Sequence, residues 1–378
     1  MKVIMTGGGT GGHIYPAIAI ADKIKRKHPD AEILFVGTEK GMEKELVPKN
    51  GYDIRFITVS GINRKNPIKN IGTVKDLIKG NRQAKQIINE FNPDLVIGTG
   101  GYVCGPIVRA AHKKGIKTYI HEQNAFPGIT NKLLERYADK VFISFPESAA
   151  YFKYPEKHVV SGNPIRKSFI TSGINDYRKR LEINPTDFVV LCFGGSRGAG
   201  KINNVMSETA ETLYEIPRLN LFFITGIPYY DTTVKYFEGR KIECKGKINI
   251  LPYADNIHEY LFAADLVISR SGALTVSEIT ACGRPSVLIP SPNVTGNHQY
   301  YNAKVVADKG GAVIIEEKDL TAEKLTGTIL RLMNNKEALN AMAAASASVG
   351  RIDGADVIYD HLGLEQSHFP PERHKMSL

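Results

Sequence analysis

Short runs of apolar residues alternate along this chain with longer segments whose apolar positions recur every three or four residues. Residues 2–5 form the first run, and Ile14, Ala17, Ile18 and Ala21 then follow at helical spacing. A strand buried on both faces is a continuous apolar run, whereas a helix that covers a sheet shows a 3.6-residue repeat. The alternation therefore predicts an α/β fold with parallel sheets covered on both faces.

The chain of 378 residues is longer than one ordinary hydrophobic core, so we expect two domains. Gly162 and Pro164 interrupt the pattern and mark the linker. The predicted domains are residues 1–163 and 164–350. A terminal helix within 351–366 is expected to pack back on the first domain, ahead of a frayed tail at 367–378. The predicted strands are 2–5, 33–36, 54–58, 95–98, 117–121, 140–143 and 159–160, then 188–193, 219–225, 247–251, 266–269, 286–289 and 312–314.

Each predicted domain opens with a strand that ends in a glycine-rich loop, GGGTGGH at residues 7–13 and GGSRG at 194–198. Glycines let backbone N–H groups approach an anion, and the N-terminus of the following helix favours negative charge. Ligands of doubly wound domains bind beyond the carboxyl ends of the strands, so both loops would line a cleft between the domains. The first loop also fits the GxGxxG of an NAD-dependent oxidoreductase, but the acid expected on the ribose arrives late, as Glu39 in a polar turn.

The composition is that of an ordinary soluble protein, with 42% hydrophobic and 23% charged residues. No apolar run reaches the ~18 residues that span a bilayer, and the N-terminus lacks the regions of a signal peptide, so we expect a cytoplasmic protein. The cysteines form no CxxC pair, which argues against a zinc site and a disulfide framework; they are Cys104, Cys192, Cys244 and Cys282.

The net charge of +10 lies in the first half, where residues 1–163 hold 25 basic and 15 acidic side chains. Its densest part, residues 62–88, carries seven basic residues against the single acid Asp76 and interleaves them with apolar ones. Such a segment suits an anionic membrane surface. Alternatively, it is a helix whose apolar face packs on the core while its lysines are solvated. The candidate membrane contacts are Ile68, Lys69, Ile71, Lys75 and Lys79.

Seven motifs follow one another over nearly the whole chain: GGGTGGHIYP (7–16), GGYVCGP (100–106), HEQN (121–124), GNPIR (162–166), GGSRGA (194–199), SRSGALTVSE (269–278) and NVTGNHQYYNA (293–303). Together they resemble the MurG family of UDP-N-acetylglucosamine (UDP-GlcNAc) transferases of peptidoglycan synthesis. The resemblance implies the GT-B fold, in which two Rossmann-like doubly wound parallel-sheet domains face each other across a cleft. It also implies an inverting, metal-independent hexosyltransferase bound peripherally to the cytoplasmic face of the cell membrane.

The reaction implied by this resemblance moves GlcNAc from UDP-GlcNAc to the C4 hydroxyl of MurNAc in undecaprenyl-pyrophosphoryl-MurNAc-pentapeptide. No cofactor and no nucleic acid take part, and partners in the cell-wall and division machinery are implied. Another GT-B enzyme, such as a glycolipid synthase or a UDP-GlcNAc epimerase, would lack the combination of HEQN, GGYVCGP and GNPIR. A basic membrane-binding or nucleic-acid-binding scaffold would not need Glu278.

The same resemblance assigns the donor site. Glu278 would accept the two ribose hydroxyls of UDP. Ser196 and its glycines would donate to the diphosphate, whose charge grows as the sugar bond breaks. Arg166 matches a donor-contacting arginine, and Ala254 falls at the uracil contact. The remaining assigned residues are Asn124 and Gln299 at the sugar, Thr10, Gly11 and Gly12 in the first loop, and Ala273, Leu274, Thr275, Val276 and Ser277 before Glu278.

Two residues are candidates for acid–base chemistry. His13 directly follows the first loop, and an imidazole with a pKa near 6.5 can take the acceptor proton at neutral pH. A histidine at a helix N-terminus can equally be a structural donor or an anion contact, so both interpretations stay open. Glu122 is the second candidate, or else it braces the turn at Gln123 and Asn124. No acidic DxD motif for a metal stands in the sequence.

Overall fold

A computed structural model describes residues 1–61, 70–169, 177–195, 197–243 and 246–364. The predictions at Ile68, Lys69, Ser196, Cys244 and the frayed tail lie outside the described residues. All predicted strands are present, and they form two parallel sheets.

The first sheet has the strand order β3-β2-β1-β4-β5-β6-β7, and every neighbouring pair is parallel. Helices connect its strands and cover both faces. The strands are β1 (Lys2–Gly7), β2 (Glu32–Gly37), β3 (Asp53–Phe56), β4 (Leu95–Gly100), β5 (Lys117–Glu122), β6 (Lys140–Ile143) and β7 (His158–Val160). The helices are α1 (Gly11–Lys27), α2 (Glu43–Lys49), α3 (Asn70–Phe91), α4 (Cys104–Lys113) and α5 (Ile129–Leu134).

The second sheet repeats the design with the order β10-β9-β8-β11-β12-β13, again all parallel. Its strands are β8 (Phe188–Phe193), β9 (Leu219–Ile224), β10 (Ile248–Leu251), β11 (Leu266–Ser269), β12 (Ser286–Leu288) and β13 (Ala312–Ile314). Its helices are α6 (Tyr177–Arg180), α7 (Gly200–Tyr214), α8 (Tyr230–Glu238), α9 (Ile257–Ala263), α10 (Ala273–Ala281), α11 (His298–Asp308), α12 (Ala322–Met333) and α13 (Lys336–Val349), and α14 (Gly354–Asp360) follows them in the chain.

Strand β1 shows why these apolar runs form buried strands. Val3 and Met5 pack on one face of the sheet with Ile14 of α1, whereas Ile4 packs on the other face with Ile107 of α4. All five side chains are buried. Because successive side chains of a strand point to opposite faces, a strand covered on both sides must be apolar at every position.

The predictions 219–225 and 286–289 run one residue past the observed strands, and the largest excess, two residues, is at β3. The prediction 54–58 corresponds to β3, which stops at Phe56. Ile57 N–H still donates to the carbonyl of Gly37 of β2 at 3.0 Å, but the backbone N–H of Thr58 donates to the side-chain Oε1 of Gln83 on helix α3 at 2.7 Å.

The chain returns to the first sheet after completing the second. Ile358 and Tyr359 of α14 join the core between α1 and the first sheet. Tyr359 Oη lies 2.8 Å from Nε2 of His28, and Tyr119 Oη donates to the carbonyl of Leu362 at 3.0 Å. The last helix therefore ties the end of the described chain to the first sheet.

Both sheets have the strand order of a doubly wound fold. The chain leaves β1 towards β2 and β3, then crosses to β4 on the other side of β1, and it does the same around β8 with β11. The crevice at such a reversal, beyond the carboxyl ends of the strands, is where doubly wound proteins bind ligands. The described candidate site residues lie at the end of β5 and on the segments that follow β1, β5, β7, β10, β11 and β12.

Candidate functional site

The first glycine loop uses part of its backbone for its own structure. Gly8 N–H donates to the carbonyl of Gly100 at 3.2 Å, and Gly9 N–H donates to Oε2 of Glu43 at 2.9 Å. Among the described residues nothing accepts from the N–H groups of Gly11 and Gly12, which open helix α1. The first N–H groups of the helix therefore remain open to an anion.

Glu43 is a site residue that the sequence did not reveal. Its carboxylate is buried and also accepts from the backbone N–H of Thr38 at 2.9 Å and from Thr38 Oγ1 at 2.8 Å. A Cβ at Gly8 would lie 2.5 Å from its Oε1. Glu43 thus holds the glycine loop through its bond to Gly9. The carboxylate also occupies the space that a side chain at position 8 would need, which is one reason for the glycine there.

His13 lies at the start of α1 with its ring over the end of β4. Its Nδ1 is 3.0 Å from the carbonyl of Thr99 and 3.0 Å from Oε1 of Gln123. A Cβ at Gly100 would lie 2.6 Å from the same ring nitrogen, so the ring can occupy this place only against a glycine. Within the described residues the other ring nitrogen, Nε2, has no hydrogen-bond partner. This geometry suits a proton acceptor.

The carboxylate of Glu122 is fully engaged. Oε1 accepts from the backbone and side-chain N–H groups of Asn124 at 2.9 and 3.1 Å. Oε2 accepts from Gly128 N–H at 3.0 Å and from Asn131 Nδ2 at 2.9 Å. A buried carboxylate with four donors has no free lone pair directed at a substrate, so the arrangement favours the bracing role over acid–base chemistry.

Asn124 is shared between the two halves of the molecule. Its Oδ1 accepts from Asn302 Nδ2 of α11 at 3.1 Å, and the same Asn302 accepts from Ala125 N–H at 2.8 Å. Asn302 also donates to the carbonyl of Ser271 at 3.2 Å. Both ends of the Asn124 amide are thus occupied in this state. Asn302 joins the loop after β5 to the loop before α10, a role that the sequence did not indicate.

Glu278 lies in the second turn of α10 and pairs with Arg166 from the segment after the linker. Arg166 Nε and Nη2 donate to Oε1 of Glu278 at 3.2 and 3.1 Å. The side chain of Glu278 is 15% exposed, and in the described structure its Oε2 has no partner. Burial raises the pKa of the Glu278 carboxyl, and the Arg166 guanidinium opposes that rise. One carboxylate oxygen is therefore open to a ligand hydroxyl.

Tyr15 of α1 lies across the cleft from this pair. Burial raises the pKa of its phenol. Tyr253 and Glu278 raise this pKa further, whereas the Arg166 guanidinium opposes the rise. Tyr15 on α1 of the first sheet is thus close enough to Arg166 and Glu278 of the second for their charges to act on it. The sequence did not single out Tyr15.

Two helices of the second sheet point unbonded N-termini at the crevice. Helix α10 begins at Ala273, and within the described residues its first backbone bond comes from Val276 N–H to the carbonyl of Gly272. Helix α7 begins after Gly198, whose φ of 72° and tight approach to the carbonyl of Thr225 require glycine. Ser277 accepts from Asn163 Nδ2 of the linker at 2.9 Å. The predicted donor residues 273–277 thus form the first turn of α10 and the start of its second.

Gln299 lies in the first turn of α11, with Oε1 accepting from Ser291 N–H at 2.9 Å. In the described part of the chain its Nε2 donates no bond and is available to a ligand. The neighbouring His298 is half-buried, and burial lowers its pKa. Ala254 is half-buried against the core of the second sheet. Among the described residues, no three His, Cys, Asp or Glu side chains are grouped closely enough to bind a metal ion.

Comparison with known proteins identifies the family. The profile of the glycosyltransferase family 28 N-terminal domain matches residues 3–143, and that of the C-terminal domain matches residues 189–358. A UDP-N-acetylglucosamine–N-acetylmuramyl-(pentapeptide) pyrophosphoryl-undecaprenol N-acetylglucosamine transferase of Alkaliphilus oremlandii is 45% identical over 96% of this chain and 98% of its own length. The chain belongs to the MurG family.

Other relatives agree with this assignment. The enzyme of that name from Clostridioides difficile is 44% identical over 96% of this chain and 88% of its own length. The crystal structure of Acinetobacter baumannii MurG superposes with a TM-score of 0.78 at 29% identity, covering 95% of this chain and 98% of that one. S. aureus MnaA with UDP has a TM-score of 0.68 at 16% identity, covering 96% of each chain, and so shows the fold alone.

Helix α3 of this MurG-family chain has two different halves. Ala84, Ile87 and Ile88 are buried in the core, whereas Val74, Leu77 and Ile78 are 56%, 48% and 52% exposed. The exposed three lie at helical spacing, and Lys75 and Lys79 beside them are exposed as well. Packing on the core thus accounts for the second half of α3 only. The side chain of Ile71 is outside the described structure, and no described helix is long and apolar enough to cross a membrane.

Proposed function

We propose that this chain transfers GlcNAc from UDP-GlcNAc to the C4 hydroxyl of MurNAc in undecaprenyl-pyrophosphoryl-MurNAc-pentapeptide, with inversion at the sugar. The observation that carries the proposal is the pair of strand-order reversals. At the reversal in the first sheet lies His13, whose Nε2 has no partner among the described residues. At the reversal in the second sheet lie Glu278 and the unbonded N-termini of α7 and α10. Relatives 44–45% identical over nearly the whole chain carry the name of this transferase.

Donor binding uses the second sheet. Glu278 accepts the ribose hydroxyls, first at its open Oε2, and Arg166 is then free to turn towards the diphosphate. The N-termini of α10 and α7 stabilise the diphosphate through the N–H groups of their first turns. The backbone at Ala254 contacts the uracil. Nε2 of Gln299 donates to the sugar.

The reaction is a single displacement. Nε2 of His13 takes the proton of the acceptor C4 hydroxyl as its oxygen attacks the anomeric carbon from the face opposite UDP. The bond from that carbon to the phosphate oxygen breaks, and UDP departs with the electron pair. Negative charge grows on the diphosphate, where the helix N-termini stabilise it most. Because one displacement occurs without a covalent intermediate, the product is the β-linked disaccharide. Thr10, Gly11 and Gly12 face the acceptor pyrophosphate and the sugar of the donor.

The acceptor is anchored in a lipid bilayer, and the first half of α3 is suited to reach it. Exposed Val74, Leu77 and Ile78 would enter the interface while Lys75 and Lys79 contact anionic headgroups. The protein would thus bind peripherally to the cytoplasmic face of the membrane. Contacts with cell-wall and division proteins stay a prediction.

The transfer assay uses radiolabelled UDP-GlcNAc and the lipid-linked MurNAc-pentapeptide acceptor. We expect label in the lipid fraction with the wild-type protein, a β linkage by NMR of the product, and loss of transfer in Glu278→Ala. Binding of UDP-GlcNAc without transfer to this acceptor would refute the proposed acceptor. Acceptor-independent release of UDP would instead indicate an epimerase or hydrolase.

Membrane docking is tested with vesicles that contain anionic lipid. Each Lys near such a surface contributes about 1 kcal/mol, so Lys75→Glu with Lys79→Glu should lower vesicle affinity by about 30-fold or more. The control is Lys113→Glu with Lys114→Glu at the end of α4, which changes charge equally at exposed positions. UDP affinity should be unchanged in both. Equal vesicle binding by the α3 variant and its control would refute docking through α3.

A further inference from the structure

His13 and three polar groups behind it form one continuous chain of hydrogen bonds. His13 Nδ1 lies 3.0 Å from Gln123 Oε1, Gln123 Nε2 lies 3.0 Å from His121 Nδ1, and His121 Nε2 lies 3.2 Å from the carbonyl of Gly162. Gln123 and His121 are 1% and 0% exposed, so this chain is shielded from bulk solvent. The chain runs from the candidate base to the linker between the two sheets.

The linker carbonyl fixes the tautomer of His121. A carbonyl only accepts hydrogen bonds, so His121 Nε2 must carry the proton that faces Gly162. Ser144 Oγ, 3.2 Å from the same nitrogen, already donates its own proton to the carbonyl of Glu122 at 2.8 Å. Burial lowers the pKa of His121 to about 4, so the ring is neutral at physiological pH. Its Nδ1 is therefore a bare acceptor.

That bare nitrogen fixes the orientation of the Gln123 amide. The group that faces His121 Nδ1 must be the NH2 group, whose nitrogen also lies 2.7 Å from the carbonyl oxygen of Thr99 and 3.2 Å from that of His121. Turning the amide over would place its oxygen against these three acceptors. The amide oxygen consequently faces His13, and His13 Nδ1 must be the donor, shared between Gln123 Oε1 and the Thr99 carbonyl.

We propose that Gln123 is a positioning residue that holds His13 in the Nδ1–H tautomer and so keeps Nε2 unprotonated for the acceptor hydroxyl. The primary amide of Gln123 thus lies between two histidines in opposite tautomers, His13 as Nδ1–H and His121 as Nε2–H. The contribution of Gln123 to transfer rests on the proposed function. The tautomers themselves do not, because they follow from the hydrogen-bond chemistry of the unliganded protein.

The tautomers are measured directly by two-bond 1H–15N correlation on the full chain labelled with 15N-histidine, at a pH where the imidazoles are neutral and without substrate. The His13 signals are assigned by their loss in His13→Asn, and those of His121 by their loss in His121→Phe. We expect Nδ1–H for His13 and Nε2–H for His121 in the wild-type protein. Any other combination overturns the proposal, whatever happens in the variants.

The role of the amide is tested with Gln123→Met, which keeps the length of the side chain and removes its hydrogen bonds. We expect a population of the Nε2–H tautomer to appear at His13 and kcat to fall by about 10- to 100-fold, while the KM for UDP-GlcNAc stays within about twofold. The matched control is Gln86→Met on the exposed face of α3, which should change neither the His13 tautomer nor kcat.

Two results separate this proposal from the proposed function. An unchanged His13 tautomer and unchanged kcat in Gln123→Met would show that the Thr99 carbonyl alone holds the ring, and would overturn the role of Gln123. A wild-type protein that transfers no sugar, but shows the expected pair of tautomers, would remove the proposed function and leave the hydrogen-bond assignment intact.

Discussion

The substitution Glu278→Gln tests the donor site most directly. Arg166 occupies only Oε1 of Glu278, so the first ribose hydroxyl can bond to Oε2 without breaking the ion pair. A hydrogen bond to a charged group contributes about 1.5–3 kcal/mol, and about 1.4 kcal/mol corresponds to tenfold in Kd. Glu278→Gln should therefore weaken UDP binding by about 10- to 150-fold.

The assay is isothermal titration calorimetry with UDP and with 2′,3′-dideoxy-UDP. If the carboxylate binds the ribose, removing the hydroxyls should weaken binding to the wild-type protein and have little further effect on Glu278→Gln. The control is Glu211→Gln, which removes a carboxylate that pairs with Arg240. Glu211 lies about 16 Å along α7 from the N-terminus of that helix. If Glu278→Gln and the removal of the ribose hydroxyls weaken binding additively, Glu278 does not contact the ribose.

The pH dependence of UDP binding follows from the burial of the Glu278 carboxyl. Because the pKa of the Glu278 carboxyl is raised, it protonates at a higher pH than an ordinary glutamate as the solution is acidified. The protonated form is a weaker acceptor, so UDP affinity should fall on the acid side, and Glu278→Gln should lack this dependence. A raised carboxyl pKa also means that the ionised form opposes folding above that pKa. The variant should thus keep or raise the Tm of the unliganded protein, measured at neutral pH.

Three further substitutions separate chemistry from structure. His13→Asn should lower kcat by about 100- to 10,000-fold in the transfer assay and leave UDP affinity unchanged in calorimetry; equal kcat would exclude His13 as the base. Asn302→Ala removes bonds to Asn124, Ala125 and Ser271 and should cost about 1–3 kcal/mol in urea unfolding, whereas no loss would show that the bridge is not stabilising. Gly162→Ala introduces a Cβ at φ 78°, 2.9 Å from Arg351 Cβ, and should destabilise the protein more than Gly51→Ala, where φ is 82° but the space is open.

The sheet architecture could be predicted because each of its strands is encoded locally. A strand such as β8 is apolar at every position since helices cover both faces, and that pattern needs no knowledge of the rest of the chain. The end of a strand, by contrast, can depend on residues far away in the sequence. At Thr58 the deciding factor is a side chain 25 positions away, Gln83, which takes the backbone N–H out of the sheet.

The contacts that build the site could not be predicted, because they join residues far apart in sequence. Asn302 bonds to Asn124 across 178 positions, and Arg166 pairs with Glu278 across 112. Motif resemblance placed Asn124 and Glu122 at a substrate. In the unliganded structure both are engaged, Asn124 with Asn302 and Glu122 with four donors. A sequence motif indicates which residues are used but not whether they contact the ligand or one another.

The first glycine loop shows how one motif can serve both purposes. Its glycines were predicted from the needs of an anion, yet Gly8 leaves room for the Glu43 carboxylate, and Gly100 of the GGYVCGP motif leaves room for the His13 ring. Gly9 donates its N–H to Glu43, and the N–H groups of Gly11 and Gly12 at the start of α1 remain for a ligand. The glycines therefore hold His13 against Thr99 and Gln123, and the same backbone that would face an anion also sets the position of the proposed base.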